Sequence, residues 1–136
     1  MTAVAEARIL GAPQLAQLKA RDMPGEFVLI LCSCPDRDSA NDISRALVEG
    51  RLAACVNQLP GMRSTYHWEG ELRQEEEVLL LIKTHAKHFS QIERRIADLH
   101  PYELPEVIAV PVSDGSRPYL DWVAGTITSP TSEPVT

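Results

Sequence analysis

The chain has 136 residues, 44% hydrophobic and 24% charged, which suits one globular domain with its own core and leaves little room for a second. Its formal net charge of -6 argues against a nucleic-acid partner, because such a partner needs a basic face. No apolar run approaches the roughly 20 residues that span a bilayer, and the three cysteines include no CxxC pair, so a cytoplasmic protein with free thiols and no membrane partner is expected.

Residues 1–25 read as an N-terminal extension in which Ile9 to Lys19 forms at most a short helix, weakened by Gly11 and Pro13. Met23-Pro24-Gly25 then breaks the chain, and the domain is expected over residues 26–128. Phe27 to Cys32 is a continuous apolar run, predicting a strand buried on both faces and stopped by Pro35. Asp36 or Asp38 can cap a helix whose apolar positions Ala40, Ile43 and Leu47 share one face, and Gly50 ends it. A second strand is expected from Leu52, bent or bulged at Pro60-Gly61 and resuming over Met62 to Trp68. Glu69-Gly70 is a hairpin turn candidate, and Glu77 to Thr84 is the return strand. Thr84 to Leu99 predicts a second helix, with Phe89, Ile92, Ile96 and Leu99 on its apolar face. Glu106 to Val112 is a fourth strand, and Ser116 with Pro118 opens a last helix whose stripe is Leu120, Val123, Ala124 and Ile127. The Pro-rich polar residues 129–136 are expected to be a disordered tail.

The order is βαββαβ plus a terminal helix, the α+β ferredoxin-like arrangement. Both long helices cover one face of an antiparallel sheet, which leaves the other face and the edges of a long middle hairpin in need of a partner. A homo-oligomer is therefore expected.

The residues able to carry chemistry are few. Cys32 and Cys34 lie two apart at a strand end, so both thiols point to one face, whereas Cys55 reads as a small buried hydrophobe. His85 and His88, three apart at a helix start, read as solvated, and His67 precedes the hairpin turn. His100 lies at a helix end before Pro101-Tyr102, where it reads as a C-terminal cap or as a ligand. Cysteine plus histidine suits copper or zinc, but two ligands do not close a structural zinc site, so water, Glu103, Glu106 or a second chain must complete it. Metal ligation needs the neutral imidazole, so binding through that ring is expected to weaken below about pH 6.5. Tyr66, Trp68, Lys83, Glu103 and Glu106 are candidate pocket residues. No GxSxG, GxGxxG or Walker A pattern is present, and a Cys32/His100 nucleophile pair lacks any nameable orienting group, so a catalyst is not expected.

Several stretches together resemble the CutA family of divalent-cation tolerance proteins. They are Leu52-Ala53-Ala54-Cys55-Val56, Tyr66-His67-Trp68-Glu69-Gly70, Glu77-Val78-Leu79-Leu80-Leu81-Ile82-Lys83-Thr84, His100-Pro101-Tyr102-Glu103-Leu104-Pro105-Glu106 and Tyr119-Leu120-Asp121-Trp122. The resemblance covers nearly all of residues 27–127. It implies a ferredoxin-like fold, a homotrimer sharing strands between chains, and a cytoplasmic role in the response to metal ions. It also implies copper (Cu2+) as the bound ion, with Cys32 and His100 at the positions of its ligands. Some members carry a second histidine just before His100, where this chain has Leu99. An alternative reading is a PII-like signalling module that binds a small anion or nucleotide between subunits, with Lys83, Arg63 and Arg73 as contacts.

Overall fold

A computed structural model describes residues 26–127. The expected short helix over Ile9 to Lys19 and the C-terminal tail lie outside the described residues. The elements are β1 (Phe27–Cys34), α1 (Arg37–Glu49), β2 (Cys55–Trp68), β3 (Glu71–His85), a 3-10 turn (Ala86–His88), α2 (Phe89–Leu99), β4 (Ile108–Pro111) and α3 (Arg117–Thr126). The sheet runs β2-β3-β1-β4 with every pair antiparallel, the α+β order expected of the βαββαβ pattern.

The core forms where alternate residues of the central strands meet the helices. Val28, Ile30, Cys32 and Cys34 of β1 and Val78, Leu80 and Ile82 of β3 pack on Ala40, Ile43 and Leu47 of α1 and Ile92 and Ile96 of α2. Asp36 starts α1 from an extended backbone, its carboxylate accepting from the Ser39 N–H at 2.8 Å and the Ser39 hydroxyl at 2.7 Å. Gly50 closes the helix by donating its N–H to the Ala46 carbonyl at 3.0 Å.

Four expectations need correction. β2 begins at Cys55 rather than Leu52, because the N–H groups of Leu52 and Ala53 turn back to the Leu47 carbonyl at 3.0 and 3.2 Å. β3 continues through His85, paired with Phe27 across β1, so no helix starts at Thr84. His85 and His88 are accordingly buried rather than solvated. His85 packs edge-on against Phe27 and lies 3.0 Å from the Glu26 carboxylate. Burial pushes its pKa down despite that carboxylate. Finally, β4 is only Ile108–Pro111, and Ser116 precedes α3 without a side-chain capping bond.

The hairpin carries the feature that matters most for the site. Leu59 pairs with Leu79 and Met62 with Glu77, so β2 holds one extra residue at Pro60-Gly61. Gly61 takes φ +80, a conformation that L side chains rarely adopt. The extra residue reverses the side-chain parity of β2. Ser64, Tyr66 and Trp68 therefore share a face with their β3 partners Glu75, Arg73 and Glu71, and with Glu77. Glu69 and Gly70 close the hairpin at φ 51 and φ 79, the mirror-image turn that suits strand twist.

The sheet face away from α1 and α2 is apolar. Leu29, Leu31, Leu79 and Leu81 are half-buried there, and Leu59, Ile108 and Val110 are exposed. Helix α3 packs at the Phe27 end of the sheet, through Val123 against Phe27 and Ala54. Among the described residues, no helix is long and apolar enough to cross a membrane.

Candidate metal centre and adjoining cleft

The end of β1 and the turn after α2 meet behind the sheet. Strand alternation puts Cys32 and Cys34 on the helix side, both fully buried, and the chain leaving α2 brings in the His100 ring. One ligand atom from each of Cys32, Cys34 and His100 lies within 4.8 Å of the others. Cys34 is the member that sequence reasoning left unassigned. Its spacing from Cys32 on one strand face was the available signal.

The two thiols are joined by a hydrogen bond. A hydrogen bond to Cys34, reinforced by burial, drives the Cys32 pKa far up. The same hydrogen bond pulls Cys34 below its ordinary value, and the Ser39 hydroxyl adds to the effect. The hydrogen bond thus favours the charged form at Cys34 and the protonated form at Cys32.

His100 does not cap its helix with its ring. Its Nδ1 accepts the Tyr102 N–H at 3.1 Å, and its Nε2 lies 2.6 Å from the Ser33 carbonyl. A ring that accepts at Nδ1 carries its proton on Nε2, so this is the neutral tautomer, held at both nitrogens by backbone. The donor set fits a thiophilic ion: among the described residues no backbone group bonds to the two sulfurs, and His100 joins them by giving up one backbone bond.

The other candidate residues separate into two places. Tyr66, Trp68, Glu103 and Glu106 line a cleft of about 740 Å³ between the hairpin and the turn after α2. Arg73, Glu75, Glu77, Ser33 and Tyr102 complete its polar wall. Lys83 is not there: it stands across from Cys55 on β2, 3.9 Å from that sulfur and bonded to Asn57. Cys55 itself is half-buried rather than enclosed. The cleft abuts the thiol cluster through shared residues. Tyr102 holds His100 by its N–H and donates its hydroxyl to Glu77 at 3.0 Å, while the Ser33 hydroxyl donates to Glu106 at 3.3 Å. Desolvation, reinforced by that bond to Glu77, pushes the Tyr102 pKa well up.

Known proteins share this build. A divalent-cation tolerance protein CutA of Thermus thermophilus is 46% identical over 95 residues, covering 70% of this chain and 92% of its own length. The crystal structure of CutA from Xylella fastidiosa matches with a TM-score of 0.74 and 51% identity, over 76% of this chain and 99% of that one. A protein of Archaeoglobus fulgidus described as periplasmic divalent cation tolerance protein CutA matches with a TM-score of 0.73 and 30% identity, over 75% and 99%. The family model of the CutA1 divalent ion tolerance protein matches residues 28–126, and with it all of the sheet but Phe27, both core helices and the Cys32–Cys34–His100 cluster: this chain belongs to the CutA1 divalent ion tolerance family.

Proposed function

We propose that the chain is a homotrimeric metal-binding protein that takes copper at Cys32, Cys34 and His100 and serves tolerance to that ion. The convergence of three buried donors within 4.8 Å carries this reading. Two sulfurs, one of them held below its ordinary pKa, and one imidazole favour a soft ion such as the cuprous form over a hard cation. The cluster supplies three protein ligands, which answers the concern that Leu99 removes one. The role is binding rather than catalysis, since fully buried sulfurs offer no approach to a substrate carbon. Three copies, as the resemblance implies, would cover the exposed Leu59, Ile108 and Val110 and the hairpin edges. A reducing cytoplasm would keep the three cysteines, all free, available to metal.

The test is an anaerobic copper titration of the parent against Cys32→Ser, Cys34→Ser and His100→Ala. Each serine variant should lose at least tenfold in affinity, and His100→Ala less, because its ring must first release a backbone partner. Parent-like binding by both serine variants would overturn the site, and a monomer in sedimentation at micromolar concentration would overturn the trimer. Anion binding between subunits is the weaker alternative, because Arg73 shares the cleft with Glu75, Glu77, Glu103 and Glu106.

A further inference from the structure

The two sulfurs behind the sheet are placed to give electrons as well as to hold an ion. Cys32 and Cys34 are both fully buried and hydrogen-bonded to each other, and a ring nitrogen of His100 completes a cluster within 4.8 Å. Among the described residues no carboxylate enters that cluster. A cupric ion prefers a tetragonal set of nitrogen and oxygen donors, whereas thiolate sulfur selects the cuprous form. The donor set therefore favours Cu+ over Cu2+, and the electrons that convert one into the other reside in the same two side chains.

The pair is also placed to close on itself. Residues two apart on a strand have Cα atoms about 6.6 Å apart, at the upper end of the separations that a disulfide spans. Cys34 is the last residue of β1, so beyond it the ladder no longer holds the chain. A bridge stretched in this way is one that small thiols reopen readily. Cys55 takes no part, because it stands across from Lys83, on the sheet face opposite the core positions Val78, Leu80 and Ile82.

We propose that the Cys32–Cys34 pair reduces cupric to cuprous ions, closing to a disulfide that a small thiol reopens; this rests on the copper reading above. Two Cu2+ each take one electron from the pair, two S–H bonds break, one S–S bond forms, and two protons leave to water. Reopening consumes two molecules of the small thiol, which end as their own disulfide. The bridged form lacks thiolates and gives up the ion, so the redox state of the pair decides whether copper is held.

The test adds two equivalents of Cu2+ to the reduced full chain without oxygen. The cupric paramagnetic signal should disappear, and alkylation followed by mass spectrometry should find the bridge within the peptide that carries Cys32 and Cys34. Cys32→Ser and Cys34→Ser should slow the loss of signal at least tenfold, and Cys55→Ser should leave it unchanged. Glutathione should restore both thiols and, with them, binding of Cu+. A cupric signal that persists while Cu+ still binds at the site overturns the reduction and leaves the copper reading standing; if Cu+ also fails to bind, both fall. Loss of signal with bridges only through Cys55 or between chains overturns the proposal as well.

Discussion

Replacing Tyr102 by Phe removes one hydroxyl and asks what the bond to Glu77 contributes. The hydroxyl donates to a carboxylate in a residue 6% exposed, at 3.0 Å. A hydrogen bond to a charged partner contributes about 1.5–3 kcal/mol. Tyr102 is itself only partly buried, so water competes and the lower end, about 1.5 kcal/mol, is the expected loss. Chemical denaturation at fixed protein concentration measures it, since unfolding and assembly are linked. In a double-mutant cycle with Glu77→Leu, which removes the acceptor, the two losses should fall short of additivity by about 1 kcal/mol. A pH series supplies a second reading. The folded pKa of Tyr102 lies above the ordinary value of 10.0, so the neutral form is favoured on folding. That contribution is complete below about pH 10 and is lost as pH rises through the folded value. The Phe variant should therefore lose less stability above about pH 10 than the parent. Strict additivity of the two substitutions, together with identical alkaline profiles, would refute the coupling.

Three further outcomes follow from the geometry. His85 has a depressed folded pKa, so the unfolded chain binds protons first as pH falls below 6.5. Stability should decline on the acid side of that value, and His85→Gln should flatten the decline in denaturation curves. Gly70→Ala places a side chain at φ +79 where no atom lies within 4 Å of it. The cost should be backbone strain alone, about 1–2 kcal/mol, read as a lower unfolding midpoint with unchanged denaturant dependence. Ile96 is fully buried in the core between α2 and the sheet, and Ile96→Ala should cost about 2–5 kcal/mol in the same assay.

Local chemistry made most of the fold legible. The cap at Asp36, the stop at Gly50, the bulge at Pro60-Gly61 and the turn at Glu69-Gly70 each depend on a residue type with its own backbone preference. The misread elements are those where neighbours outweighed propensity. Periodicity continued the second helix back to Thr84, but pairing with β1 holds that stretch in the sheet through His85 and buries a histidine that looked solvated. β2 starts late because the Leu47 carbonyl claims two N–H groups that a strand would have used.

The candidate site divides the same way. Sequence alone placed Cys32 and Cys34 on one strand face, set His100 at the end of a helix, and carried the motifs of the family. All of these follow from short-range periodicity and residue type. Only the tertiary structure decided that His100 reaches both sulfurs, since residues 32 and 100 meet through the packing of α2 on β1. It also decided that backbone groups hold both imidazole nitrogens and that the two thiols hydrogen-bond each other, because burial makes an intramolecular partner the alternative to water. The cleft is tertiary for the same reason. One extra residue in β2 puts Tyr66 and Trp68 on the same sheet face as Glu77, and Lys83, six residues further along β3 from Glu77, is carried out of reach.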